Sequence, residues 1–244
     1  MMLKKYLSGI LLLTAALAAT VLHAATLPDF AATYILKRGN LRIGTSTIAL
    51  QTEVDGGYLY KSHSWPSRWL SWLLKDQLHE SSRGHMMPAG IRPDKYHYLR
   101  SGGSRKLEQN LSFDWDEKTV RNHVEGSPWK MDIPAGTLDK LASQLGVMLA
   151  LQQHKKDVTF NIADDGELEE YRYQVVDHET LEVPAGTFAT VKIAKLHGNS
   201  RRKTHVWCAP ALNYLPIRIW QRETDDSEYT SDLDSFSETL RVKP

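Results

Sequence analysis

The chain has 244 residues, 41% of them hydrophobic and 24% charged, which is the composition of neither a disordered chain nor an integral membrane protein. Thirty Lys and Arg face 29 Asp and Glu. This lacks the basic surplus that a dedicated nucleic-acid binder brings to phosphate, and a cationic membrane-lytic role loses support for the same reason.

Residues 1–24 read as a secretory signal. Lys4 and Lys5 form the basic start, Ile10 to Leu22 the apolar core, and Leu22-His23-Ala24 the cleavage site. Its removal leaves 220 residues with 28 cations against 29 carboxylates, so the formal charge passes from +1 to −1. No later run of about 18 apolar residues follows, so no transmembrane span is expected after signal cleavage. No cysteine lies near the cleavage site to take a lipid. The expectation is a periplasmic or secreted protein without a lipid anchor. Residues 25–244 read as a single β domain, because no Gly/Ser/Pro-rich linker divides them.

The first notable segment is aromatic. Trp65, Trp69 and Trp72 stand at i, i+4 and i+7 with Leu70, Leu73 and Leu74 among them, and Pro66 suits a first helical turn. This spacing predicts a short helix. It reads as a lid, a membrane-surface foot or a buried flap. Period two governs most of the remainder. Leu107, Leu111, Phe113 and Trp115 alternate with polar residues, as do Val158, Phe160 and Ile162, Val191 and Ile193, and Leu215, Ile217 and Ile219. Between the first two of these strands lies a helical pattern. Leu138, Leu141, Leu145, Met148 and Leu149 recur at helical spacing over residues 137–153, with Thr137 as the expected cap. Turn signals such as Arg38-Gly39-Asn40, Asp55-Gly56-Gly57 and Asp164-Asp165-Gly166 join the strands. The fold class expected is mainly β: a large curved antiparallel sheet or half-open β-barrel of about a dozen strands. One amphipathic helix packs on its concave side.

Motifs that carry chemistry are sparse. Cys208 is the single cysteine, so no intramolecular disulfide forms; between Val206 and the following strand it reads as a small buried side chain. The histidines show no metal-ligand spacing, and the adjacent pairs His79-Glu80 and His178-Glu179 point to opposite strand faces. Gly-x-Ser contexts lack a nucleophile elbow, and no phosphate loop or dinucleotide fingerprint occurs. No catalytic, cofactor-binding or metal-binding residue is assigned. A hydrolase would need distant residues to converge, such as His97 with Asp114 or Glu170. Arg201-Arg202-Lys203 reads as a wet basic tip.

Several segments together resemble a family of exported bacterial proteins. They are Gly90-Ile91-Arg92-Pro93-Asp94-Lys95-Tyr96, the strand ending Phe113-Asp114-Trp115, and Thr180 to Thr187 followed by Thr190-Val191-Lys192. Thr204-His205-Val206-Trp207 and Asn213-Tyr214-Leu215-Pro216-Ile217-Arg218 complete the set. The family is the domain of unknown function 3108, and the resemblance runs from about Tyr34 to Leu233. It implies an exported, mostly antiparallel β protein and carries no catalytic residues.

Two functions fit these readings. One is a non-enzymatic carrier of an apolar or lipid-like ligand, with Trp65, Trp69, Trp72 and Leu73 as candidate contacts. The other is a scaffold or assembly factor of the cell envelope, with the same residues covered by a partner protein. Neither needs a cofactor.

Overall fold

The structure is a computed structural model that describes residues 27–53, 55–73, 75–103, 106–124, 126–196 and 201–238. The expected signal at residues 1–24 lies outside these described residues, as do Leu74 and His197. Eight strands come first: β1 (Phe30–Arg38), β2 (Leu41–Thr52), β3 (Gly57–Pro66), β4 (Gln77–Met87), β5 (Gly90–Ser101), β6 (Leu107–Asp114), β7 (Thr119–Asn122) and β8 (Trp129–Asp132). The helix α1 (Ala142–Gln152) follows. Six more strands close the chain: β9 (Asp157–Asp164), β10 (Glu167–Val183), β11 (Gly186–Leu196), β12 (Lys203–Ala209), β13 (Leu215–Arg222) and β14 (Glu228–Glu238).

All fourteen strands form one antiparallel sheet in the order β8-β7-β6-β5-β4-β3-β2-β1-β14-β13-β12-β11-β10-β9. Consecutive strands are neighbours, as short turns dictate, except β8 and β9, which the helix segment separates. The non-consecutive pairing is β1 against β14, which joins the two ends of the chain through pairs from Phe30↔Glu238 to Arg38↔Tyr229. The sheet is not closed into a barrel, because β8 and β9 share no ladder.

Side chains and α1 fill that seam. Leu138 makes an isolated bridge to Ile162, its N–H donating to Asn161 at 2.9 Å. Lys140 and Gln109 both reach the Asp164 carboxylate, at 2.5 and 3.4 Å. The Trp129 ring lies against Gly166, where an added Cβ would sit 3.6 Å away.

The helix lies on the concave side, as its apolar stripe requires, and burial extends around the remainder of it. Leu145, Met148 and Leu149 join the main core with Tyr58, Tyr60, Tyr96, Ile162 and Leu215. Val147 and Leu151 face a second cluster with Val191, Ile193, Val206 and Cys208. A helix apolar on all sides is a core element. Its start also differs from expectation. Thr137 turns its hydroxyl to Pro134, and the first turn is held by Asp139, whose carboxylate accepts the Ala142 N–H at 2.7 Å.

The helix expected around Trp65 does not form. Trp65 is the penultimate residue of β3, and residues 67–73 are successive turns closed by Leu70 N–H to Ser67 and Leu73 N–H to Leu70. This stretch lies beyond the ends of β3 and β4, and among its described residues Leu70 alone is buried, too little apolar contact to hold an isolated short helix.

Candidate functional site

Beside α1, the inner face of β10–β13 leaves a cavity of about 370 Å3. Its floor is Val147 of the helix with Ile193, Val206, Ile219 and the rings of Tyr171 and Tyr173. Strand alternation puts these on one face: Tyr171 with Tyr173, and Val191, Ile193 and Lys195 along β11. Lys140, Lys195 and Arg202 also line the cavity and supply its positive charge.

Lys195 continues an apolar strand face with a charge. Its Nζ lies 2.9 Å from the Tyr171 ring centroid, a cation–π contact, and among the described residues it forms no ion pair. Burial pushes its pKa down to about 8, against a smaller opposing pull from Glu169. Arg202 holds Glu223 at 2.8 Å, and Arg201 donates to the Thr224 carbonyl at 2.9 Å, so this basic turn ties the β11–β12 and β13–β14 connections together. Burial raises the Tyr171 pKa, and that of Tyr173 reaches about 12, so both phenols are neutral donors at physiological pH.

A chain of buried polar groups anchors the helix to the opposite wall. Tyr58 and Ser82 share a hydrogen bond of 2.8 Å, Ser82 donates to Asp139 at 2.6 Å, and Tyr60 donates to Gln144 at 2.9 Å. Desolvation pushes the Asp139 pKa up to about 7, although its hydrogen bonds oppose the shift. Glu80, raised by burial, accepts the Tyr96 hydroxyl at 2.7 Å.

The aromatic residues singled out in the sequence are divided. Trp65 packs on the outer face against His63, ring centroids 4.8 Å apart. Trp69, Trp72 and Leu73 are 51%, 76% and 63% exposed at the tip of the β3–β4 connection. None of the four lines the cavity. Sequence reasoning missed Lys195, Tyr171 and Tyr173; the readable signal was Lys195 at the next inward position after Val191 and Ile193. His97 engages Glu108 at 3.5 Å, whereas Asp114 accepts the Glu117 N–H, so these two are not brought together. His63 and His79 stack at 4.0 Å. Among the described residues no three His, Cys, Asp or Glu side chains gather as a metal site.

The outer face of β12–β14 carries a second ordered set. The Asp232 carboxylate is almost fully buried between Arg218 and Lys37, the latter at 2.8 Å. Trp207 donates to Glu179 at 2.6 Å with Lys192 over its ring, and His205 stacks on Trp220 at 5.4 Å. The closing motif residues His205, Trp207 and Arg218 thus act together as a clamp over neighbouring strands.

A single open antiparallel sheet wrapped on a buried helix defines a barrel-like β protein. Residues 29–234 match the family model described as Protein of unknown function (DUF3108), and the chain belongs to that family. Among solved structures it is similar to a beta-barrel-like protein of domain of unknown function DUF1849 from Brucella abortus. The TM-score is 0.59 at 9% identity, over 88% of this chain and 100% of that one. A Bacteroides fragilis protein with a YmcC-like fold aligns with a TM-score of 0.34 at 12% identity, over 88% and 99% of the two chains. No curated protein matches the chain.

Proposed function

We propose that this protein is an exported, non-enzymatic binding protein of the cell envelope, and that the cavity beside α1 carries an amphipathic, lipid-like anion. The observation that carries the reading is the two-sided lining of the cavity. An apolar and aromatic floor is combined with three cations, one of them, Lys195, without an ion pair among the described residues. Burial of an apolar chain on that floor supplies about 25 cal/mol per Å2, and a carboxylate or phosphate oxygen takes the Lys195 ammonium. A volume of about 370 Å3 falls at the low end for small-molecule sites, which suits one slim chain better than a two-chain lipid. Export rests on the pattern of residues 1–24.

Native mass spectrometry of gently purified protein, with titration of a fluorescent fatty acid, tests the reading. A bound mass of several hundred daltons, or saturable fluorescence competed by unlabelled fatty acid, supports it. A clean apo mass with no response to the probe defeats it.

A further inference from the structure

Of the nine exposed large apolar side chains among the described residues, five gather in one place. The connections β1–β2, β3–β4 and β5–β6 emerge at the same end of the sheet, because each follows an odd-numbered strand of the meander. Leu41 (52% exposed), Trp69, Trp72, Leu73 and Leu107 (57%) project there from adjacent connections. Isolated exposed leucines need no explanation, but two tryptophans and three leucines on neighbouring tips form a patch.

The charges around that patch are mostly positive. Residues 39–42 and 67–75 hold three cations, Arg42, Arg68 and Lys75, and no carboxylate. The carboxylates that border it are already taken, Asp76 by Arg100 and Glu108, beside Leu107, by Lys106. The turn is fastened to the sheet below it, with Ser67 N–H donating to Ile43 at 2.8 Å and the Ser67 hydroxyl to Arg42 at 3.4 Å. Leu70, 9% exposed, is the buried anchor that turns Trp69, Trp72 and Leu73 outward. On the other half of this end, the β9–β10 and β13–β14 connections carry Asp165, Glu167, Asp225 and Asp226.

We propose that the β1–β6 half of this end is a foot that docks on an anionic phospholipid surface. Trp72, Leu73 and Trp69 enter the headgroup–acyl boundary, and Arg42, Arg68 and Lys75 meet the lipid phosphates. Indole rings favour that boundary because it offers an apolar and a wet side together. Cations close to an anionic bilayer add attraction that salt screens. Lys195 and Arg202, beside the β11–β12 connection, belong to this same end of the sheet, which brings the cavity close to the lipid. Docking does not require the cavity to be filled.

The test is co-sedimentation of the full secreted chain with vesicles of phosphatidylcholine containing phosphatidylglycerol, and with phosphatidylcholine alone. Tryptophan emission is followed in parallel. Binding to the anionic vesicles with a blue shift, weakened on adding salt, is the expected result. The double variant Trp72→Ser/Leu73→Ser should bind about tenfold or more weakly. Arg68→Gln/Lys75→Gln should cost about fivefold per charge at low salt. Both pairs are exposed, so circular dichroism and thermal midpoints should not move. Absence of vesicle binding overturns the proposal, as does binding that these variants leave unchanged. A patch occupied by a second copy or another protein would appear as self-association, or a crosslinked partner, lost in the variants without any lipid dependence; that outcome also overturns it. Fatty-acid titration of the same variants in free solution reports separately on the cavity.

Discussion

The hydroxyl of Ser82 on β4 donates to the Asp139 carboxylate at 2.6 Å in a fully buried position, and the same carboxylate caps α1 through Ala142. One side chain therefore fixes the helix both to its own first turn and to the sheet. Burial pushes its pKa from 3.8 up to about 7. The folded state then holds a proton that the unfolded chain releases at lower pH. Stability from this group is fully present below about pH 4 and declines as pH rises through 7. Asp139→Asn should flatten that decline in thermal midpoint between pH 4 and 8. Asp139→Ala should cost about 1–2 kcal/mol as the cap is lost. A pH profile of Asp139→Asn parallel to that of the parent would contradict the assignment.

On the proposed reading, Lys195 should favour ligand binding at the expense of the stability of the empty fold. Its pKa is depressed to about 8, so the folded state binds the proton less well than the unfolded chain does, whose value is 10.5. The unfolded state therefore gains protons relative to the folded one between these values. The stability penalty is fully present below about pH 8 and fades as pH rises toward 10.5. Lys195→Met should accordingly raise the thermal midpoint at pH 7. It should also weaken an anionic amphiphile by about ten- to a hundredfold, the worth of one charge-assisted hydrogen bond. Fatty-acid affinity of the parent should fall as pH rises through 8. Unchanged affinity in Lys195→Met, measured by fluorescence titration, would remove Lys195 from the site.

Gly84 marks the tightest backbone approach in the sheet. The β4–β5 register shifts between Arg83 and Gly84, and a Cβ on Gly84 would lie 2.1 Å from the Arg92 carbonyl oxygen. The shift lies opposite the Arg92-Pro93-Asp94 stretch. There, Asp94 meets His85 at 2.9 Å and the Pro93 carbonyl accepts the Trp115 indole at 2.8 Å. Gly84→Ala must push two strands apart, at a cost of about 2–3 kcal/mol. Urea unfolding should show a lower midpoint with an unchanged slope.

Cys208 is fully buried between Val206 and the helix, and desolvation pushes its thiol up to about 12. A thiol-specific reagent should modify it in the native protein far more slowly than in denaturant. The ratio should approach the global unfolding equilibrium, with rapid native labelling as the contrary result.

Those elements show what was readable in the chain. Alternation identified strands such as β6 and β9 because a sheet with one wet face imposes period two on its side chains. Helical spacing gave the inner helix, since Leu145, Met148 and Leu149 reach the sheet from one stripe, whereas Leu138, expected within it, bridges to Ile162 ahead of it. The cavity was harder to read. Lys195 and Tyr171 are far apart in sequence and meet only because β10 and β11 pair in one register. Trp65 and Trp69 fit a helical wheel, but Ser62, His63, Ser64 and Trp65 also fit an extended strand. The ladder with β2, ending at Gly44↔Pro66, decided between them. Asp139 gave no motif because its carboxylate serves as a cap from three residues before the first residue of its helix.

The two margins of the sheet are joined by different means. Where β1 meets β14, a continuous ladder and the Arg218–Asp232–Lys37 clamp hold strands nearly two hundred residues apart in sequence. Where β8 faces β9, the gap is bridged among the described residues by side chains and single contacts of Asp164, Leu138 and the Trp129 ring. The β1–β14 margin is thus held by backbone pairing and the β8–β9 margin by side chains and the segment leading into α1. Amide hydrogen exchange should be slowest along the β1–β14 ladder and fastest at the β8 and β9 margins, so the sheet should loosen from its two free edges inward.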